Sequence, residues 1–117
     1  MHSLNNINRV GIEIEFLCKL DLCKLAEMLA YKWYKKEAYS VCEFIKNSET
    51  RIKYTVVDPK GSTWAFVIDK SVCDRDNGIL VGYELVTPVI SDLYYLRDVL
   101  AVLLDAGCYV NNTCGLH

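Results

Sequence analysis

The segment 10–17 constrains the fold more than any other, because apolar residues occupy every second position in it. Side chains of a β-strand point alternately to the two faces of the sheet. One face of this strand is therefore apolar, and the other carries Glu13 and Glu15 with Gly11 and Leu17. The apolar face is made by Val10, Ile12, Ile14 and Phe16. The pattern predicts a sheet with one packed face and one acidic face.

Two helices are predicted, one before and one after a group of strands in the sequence. Asp21 can cap a helix that runs to about Lys36, and Ser91 can cap a second one that stops at Gly107. Each has an apolar stripe at helical spacing. The first stripe is Leu22, Leu25, Ala26, Leu29 and Trp33; the second is Leu93, Leu96, Leu100, Leu103 and Leu104.

The remaining segments favour strands linked by short turns. The segments 51–58 and 62–69 are rich in β-branched and aromatic residues, and Pro59-Lys60-Gly61 between them predicts a hairpin. A further strand spans 80–87 and ends at Pro88, and another could begin at Tyr109 to Asn111. The segment 39–45 is ambiguous between a strand and a short helix. This order predicts the α+β class, with a mainly antiparallel sheet covered by two helices on one face.

Length and composition set limits on the class of protein. The chain has 117 residues, of which 52% are hydrophobic and 24% charged, so we expect one globular domain over 1–117. Its net charge of −2 gives no basic surplus for nucleic acid or an anionic membrane. No apolar run reaches the roughly 18 residues of a membrane span. The N-terminus lacks a signal peptide pattern, which makes the cytoplasm the default location.

The six cysteines are interpreted as free thiols. They are Cys18, Cys23, Cys42, Cys73, Cys108 and Cys114. None of them forms a C-x-x-C pair, and no cysteine and histidine spacing is typical of a zinc site. Buried thiols in a reducing compartment are the interpretation that fits these spacings.

Three glutamates are candidate metal ligands. Glu13 and Glu15 point to the same side of one strand, about 6–7 Å apart at the backbone. Glu84 lies in a predicted strand among apolar neighbours, although Glu is a poor strand former. Adjacent carboxylates repel one another, and a hard cation such as Mg²⁺ or Mn²⁺ relieves the repulsion. The alternative for each is a solvated position, on an edge strand in the case of Glu84.

Three other residues are weaker candidates for a functional site. Asp69 and Ser71 form D-x-S at the end of a predicted strand, a pattern that is more often a turn than a site. His117 closes the segment Val110 to His117, and a neutral imidazole beside carboxylates is a possible metal ligand. The sequence has no Walker loop, Rossmann fingerprint or G-x-S-x-G elbow. A nucleotide would therefore be held through metal bridging.

Taken in order, these motifs resemble the amidoligase family, which is related to glutamine synthetase and glutamate–cysteine ligase. The resemblance spans Gly11 to His117 and rests on four motifs. They are G-I-E-I-E at 11–15, W-x-x-x-x-D-x-S at 64–71, Y-E-L-V-T-P at 83–88 and V-N-x-x-C-G-L-H at 110–117. Each motif is weak alone, but four in this order and spacing are fairly specific.

The resemblance implies a glutamine synthetase-like catalytic sheet that holds ATP and Mg²⁺ or Mn²⁺ on its acidic face. It implies that ATP phosphorylates the carboxylate of a small molecule or peptide and that an amine attacks the acyl phosphate. Residue by residue, it assigns the metal to Glu13, Glu15, Glu84 and His117, with Glu13 and His117 also serving the nucleotide. It places Asp69 and Ser71 in the catalytic region as substrate or nucleotide contacts.

The chain departs from the family pattern in three ways. Lys70 stands where Gly is frequent in the D-x-S motif, and 37–50 has no clear counterpart. The family pattern also continues beyond C-G-L-H, so we expect this chain to be an N-terminal portion that is inactive alone. The alternatives are a non-catalytic binding or interaction domain with this fold, and a subunit completed by a partner. The sequence does not give the substrates or the oligomeric state.

Overall fold

The computed structural model describes residues 11–35, 40–44, 52–89 and 94–115, which form one antiparallel sheet and two α-helices. The strands are β1 (Glu13–Phe16), β2 (Ser40–Phe44), β3 (Ile52–Val57), β4 (Thr63–Asp69) and β5 (Gly82–Val86). The helices are α1 (Leu22–Tyr34) and α2 (Tyr94–Asp105), and a short 3₁₀-helix spans Arg75–Asn77. The predicted α+β class is confirmed, and the ambiguous segment 39–45 contains a strand.

The sheet has the order β1-β5-β4-β3-β2, and each neighbouring pair is antiparallel. Strands β2 to β5 follow one another as a meander, whereas β1 lies at the opposite edge beside β5. Helix α1 must therefore carry the chain across the whole sheet. Five strands about 4.8 Å apart make the sheet roughly 19 Å wide. The 13 residues of α1 rise about 20 Å, which matches that width.

Both helices pack on one face of the sheet, as the sequence predicts. The main core contains alternate strand residues, including Phe16, Trp64, Phe66 and Leu85, together with apolar residues of both helices. Trp64, Phe66 and Leu85 are fully buried. Ile14 packs against this core, so the apolar face of β1 is turned toward the helices. The carboxylates of β1 consequently lie on the other face.

The predicted stripe of α2 is partly wrong. Leu103 is buried and Leu96 packs against the core, but Leu100 and Leu104 are exposed. Val99 and Val102 are buried instead. A helical turn of 3.6 residues groups 95, 96, 99, 102 and 103 on one side, and it places 100 and 104 on its flank. Leu93 and Ser91 lie outside the described residues.

The start of α1 and the β3–β4 turn follow local chemistry that the sequence predicts. Asp21 caps α1 by accepting a 2.8 Å hydrogen bond from the Lys24 amide. In the turn, one oxygen of buried Asp58 accepts from the amides of Lys60 and Ser62, and the other accepts from Trp64 Nε1 at 2.9 Å. The hairpin turn is thereby joined to the core tryptophan.

Three predicted strands are shorter in the structure. The paired part of β1 begins at Glu13, and Val10 lies outside the described residues. Strand β5 begins at Gly82, since Leu80 is exposed and unpaired in the sheet. The expected strand at 109–111 is reduced to a single bridge between Tyr109 and Leu17. In the part of the chain that the structure describes, neither helix has the length and hydropathy that crossing a membrane requires.

Candidate metal centre

Strand pairing brings two of the predicted carboxylates face to face. Glu15 of β1 is directly opposite Glu84 of β5. The Glu15 amide turns away from β5 and donates to the Gly115 carbonyl at 3.0 Å, so Glu15 and Glu84 are a non-hydrogen-bonded pair. Side chains approach more closely in such pairs than in hydrogen-bonded ones. The prediction that Glu13, Glu15 and Glu84 share one face is confirmed by this register.

Asp69 completes a cluster with these two glutamates. One carboxylate oxygen from each of Glu15, Asp69 and Glu84 lies within 4.8 Å of the others. Asp69 is at the end of β4 and is paired with Gly82 of β5. Because Gly82 has no side chain, nothing on β5 stands between Asp69 and Glu84 along this face. The cluster therefore takes one carboxylate from each of three adjacent strands.

Ser71 holds the Asp69 carboxylate in place. Its hydroxyl donates to Asp69 Oδ1 at 2.6 Å, and its backbone amide donates to the same oxygen at 2.9 Å. Both bonds are local, as expected for Asp followed two residues later by Ser. With Oδ1 engaged by Ser71, the carboxylate has a fixed orientation. The turn interpretation and the site interpretation of D-x-S are thus both compatible with its geometry.

The cluster is partly removed from water. Glu84 is only 8% exposed, and Glu15 and Asp69 are half-buried. Strand β5 is interior, so the interpretation of Glu84 as a solvated residue on an edge strand is wrong. A second, small apolar cluster of Leu17, Val72 and Ile79 borders the carboxylates on the same face. Low solvent access strengthens electrostatic interactions between the carboxylates and with any bound cation.

Segment 109–115 fastens the loop that follows Asp69. The Asn111 side-chain amide donates to the Cys73 carbonyl at 2.9 Å, and the Thr113 hydroxyl accepts from the Cys73 amide at 3.2 Å. Tyr109 Oη donates to Asp74 Oδ2 at 2.6 Å. The V-N-x-x-C-G-L-H motif is therefore bonded to the loop 72–74, which directly follows the D-x-S motif. Motifs that are about 40 residues apart in sequence form one unit of structure.

The Tyr109 bond also affects ionisation near the site. Hydrogen bonds from Asn77 and Tyr109 lower the pKa of Asp74, and the same bond to Asp74 raises the pKa of Tyr109. Asp74 is thus held as a carboxylate and Tyr109 as a neutral phenol. These are the states in which Tyr109 donates and Asp74 accepts.

Of the other two predicted metal ligands, one lies outside the cluster and one lies outside the described residues. Glu13 lies on the same face, two residues from Glu15 and opposite Val86, but it is exposed and is not in the cluster of three. His117 lies outside the described residues. Sequence reasoning did not group Asp69 with the glutamates, because the grouping depends on the register in which Val67, two residues before Asp69, pairs with Glu84.

The donor set suits a hard divalent cation. All three groups supply carboxylate oxygen, which Mg²⁺ and Mn²⁺ prefer to nitrogen or sulfur. Three negative charges this close destabilise one another unless a cation or protons compensate them. The cluster can therefore hold a divalent cation and leave further coordination positions for water or an oxygen-rich ligand such as a phosphate.

A comparison with models of protein families identifies the family of this chain. A model described as "putative amidoligase enzyme" matches residues 6–117, which is nearly the whole chain. Comparisons with curated proteins and with solved structures gave no match. The matched region contains the carboxylate cluster, its bordering loop and the four motifs. The chain therefore belongs to the amidoligase family.

Proposed function

We propose that this chain supplies the metal- and nucleotide-binding face of an ATP-dependent ligase, which joins a carboxylate to an amine through an acyl phosphate. The observation that carries the proposal is the cluster of Glu15, Asp69 and Glu84 in a member of the amidoligase family. The substrate carboxylate is proposed to be that of a small molecule or a peptide, since no contact of the described residues selects between them.

The three carboxylates are proposed as ligands of Mg²⁺ or Mn²⁺. When bound, the cation neutralises phosphate charge and aligns the group that is transferred. Glu15 and Glu84 would hold it from adjacent strands, and Asp69 would do so from the end of β4 in the orientation that Ser71 fixes. Rigid strands are suitable supports, because a site on them is positioned more precisely than one on loops.

Glu13 and His117 are proposed as outer members of the same site. Glu13 is on the acidic face, where it can meet a second cation or a ligand that extends along β1. The resemblance to the amidoligase family is the ground on which we propose His117 as a further ligand to the metal that the nucleotide shares.

The proposal is tested first by metal binding and then by chemistry. Titration of the chain with Mn²⁺, followed by electron paramagnetic resonance, is expected to show a site that Glu15→Gln, Asp69→Asn and Glu84→Gln each weaken at least tenfold. Asp76→Asn is the matched control, because Asp76 is an exposed carboxylate of the neighbouring 3₁₀-helix. Unchanged Mn²⁺ affinity in the three cluster variants would refute the metal centre.

The ligase chemistry has a separate readout. With ATP, Mg²⁺, a panel of amino acids and hydroxylamine as the amine, an acyl phosphate is trapped as a coloured hydroxamate. For a protein that contains this chain together with the rest of the family pattern, the expected result is hydroxamate formation that depends on both ATP and metal, and that is lost in Glu84→Gln. The 117 residues alone are expected to form none. Metal binding by that longer protein with no ATP-dependent hydroxamate for any carboxylate would favour a binding domain over a ligase.

A further inference from the structure

Cys18 and Cys108 face each other across the bridge between β1 and the segment after α2. Leu17 and Tyr109 exchange both backbone hydrogen bonds, at 2.8 and 2.9 Å, so they are a hydrogen-bonded antiparallel pair. The next pair along such a ladder, Cys18 with Cys108, is of the non-hydrogen-bonded type. Cα atoms in this type of pair are about 4.5 Å apart, which is within the range that disulfides span.

The side chains are in contact as well as the backbones. Cys108 packs against the core cluster that contains Cys18, close enough for Cys18 to raise the pKa of the Cys108 thiol further after burial has raised it, and Cys18 Sγ donates to the Ala106 carbonyl at 3.4 Å. Cys18 belongs to the main core and is 3% exposed, while Cys108 is half-buried against the same core. Both sulfur atoms are thus held together by packing on the helix side of the sheet.

We propose that Cys18 and Cys108 are a site of oxidative modification, at which a peroxide converts the two thiols into a disulfide that fastens β1 to the segment after α2. The inference rests on the register and the thiol contact, and it is independent of the proposed ligase function. The spacing of the six cysteines does not predict this pair, because its two residues are 90 positions apart in the sequence.

A small oxidant has a route to Cys18. The side chain borders a surface cleft of about 530 Å³, whose lining also includes Lys19, Ile79, Leu80 and Tyr83. A peroxide is much smaller than this volume. Cys18 is among the residues that line this cleft and Cys108 is not, so Cys18 is assigned as the thiol that the peroxide reaches first, and Cys108 as the one that resolves it. Burial raises the pKa of the Cys108 thiol, which disfavours direct attack of Cys108 on the peroxide.

The chemistry balances with one hydrogen peroxide. The Cys18 sulfur attacks one peroxide oxygen, the O–O bond breaks, and water leaves, which gives a sulfenic acid at Cys18. The Cys108 sulfur then attacks the Cys18 sulfur, the S–O bond breaks, and the hydroxyl leaves as water with the Cys108 proton. In sum the two thiols lose two hydrogen atoms, the peroxide is reduced, and two waters form.

Peptide mapping of the full chain after treatment with hydrogen peroxide tests the proposal. Digestion without reductant is expected to yield one cross-linked peptide pair that contains Cys18 and Cys108, with the mass of two hydrogen atoms missing and with reversal by dithiothreitol. Because the bond closes a loop of about 90 residues, the melting temperature of the oxidised chain should rise on the order of 10 °C.

Two variants and an unfolded sample complete the experiment. Cys108→Ser should prevent the disulfide and leave a sulfenic acid at Cys18 that dimedone traps. Cys114→Ser, which removes another thiol of the same segment, should leave the Cys18–Cys108 bond intact. In urea the selectivity should disappear, because the register no longer exists. A folded wild-type chain in which Cys18 or Cys108 pairs with other cysteines, or in which neither pairs while other thiols are oxidised, would overturn the proposal.

Discussion

Glu84→Gln is expected to be at least as stable as the wild type without metal, and less stable than the wild type with metal. The substitution keeps the size of the side chain and removes one of three charges from a cluster whose oxygens lie within 4.8 Å of one another. Without metal, the variant loses a repulsion. With metal, it loses a ligand. The two consequences have opposite signs, which separates a metal centre from a structural role.

The size of the repulsion follows from the separation. At 4.8 Å, two unit charges repel by about 3.5 kcal/mol at an effective dielectric constant near 20, and by about 0.9 kcal/mol at that of water. Glu84 faces two such neighbours, Glu15 and Asp69. The other polar contacts of Glu84 offset part of the gain. The metal-free variant should therefore be as stable as the wild type, or more stable by about 1–3 kcal/mol.

Bound metal should raise the free energy of unfolding of the wild type, and should raise that of Glu84→Gln much less. At a metal concentration 100 times the dissociation constant, a site found only in the folded state adds about 2.7 kcal/mol to the free energy of unfolding. For a chain of this length, that corresponds to roughly 10 °C in the melting temperature. The variant should gain little at the same concentration, because loss of one ligand weakens binding by tenfold or more.

Paired unfolding measurements check this expectation. Melting curves of wild type, Glu84→Gln and the control Asp76→Asn would be recorded with EDTA and with saturating Mg²⁺ or Mn²⁺. The control should behave like the wild type in both. A metal-free Glu84→Gln protein that is several kcal/mol less stable than the wild type, with an unchanged response to metal, would refute the reasoning and make Glu84 a structural residue.

Three further predictions concern the surroundings of the cluster. Ser71→Ala should lower Mn²⁺ affinity by tenfold or more with little change in melting temperature, whereas Ser71→Thr, which keeps the hydroxyl, should restore binding. Gly82→Ala should cost about 1–3 kcal/mol of unfolding free energy in denaturant titration, because its Cβ would lie 2.4 Å from a methyl carbon of Val72; an unchanged midpoint would show that the loop yields freely. Tyr109→Phe should raise the pKa of Asp74 toward its usual value in a carbon-13 NMR titration, since one of the three hydrogen bonds that lower it is lost. A carboxylate with a lowered folded-state pKa stabilises the fold at neutral pH, and this stabilisation is lost as the pH falls through the lowered value. The stability of the variant should therefore depend less on pH in the acidic range.

The sequence determined most of the strands, the two helices and the two faces of β1, because these depend on local periodicity. The alternation in 10–17 predicts which side of β1 packs and which carries Glu13 and Glu15, and the register confirms it. Asp21 and the Pro59-Lys60-Gly61 turn are equally local signals, and the structure has a helix cap and a hairpin at those positions. The family resemblance depended on short motifs and their order, and the family model matches the same region.

Tertiary structure decided which of these residues meet. The pairing of β1 with β5 at the far edge of the sheet sets Glu15 opposite Glu84, and the pairing of β4 with β5 adds Asp69. No local pattern specifies that α1 spans the sheet or that Val99 and Val102, rather than Leu100 and Leu104, face the core. The contact between Cys18 and Cys108 has the same origin. These features depend on burial and register between segments far apart in the chain, and periodicity within one segment carries no information about which segment will be its neighbour.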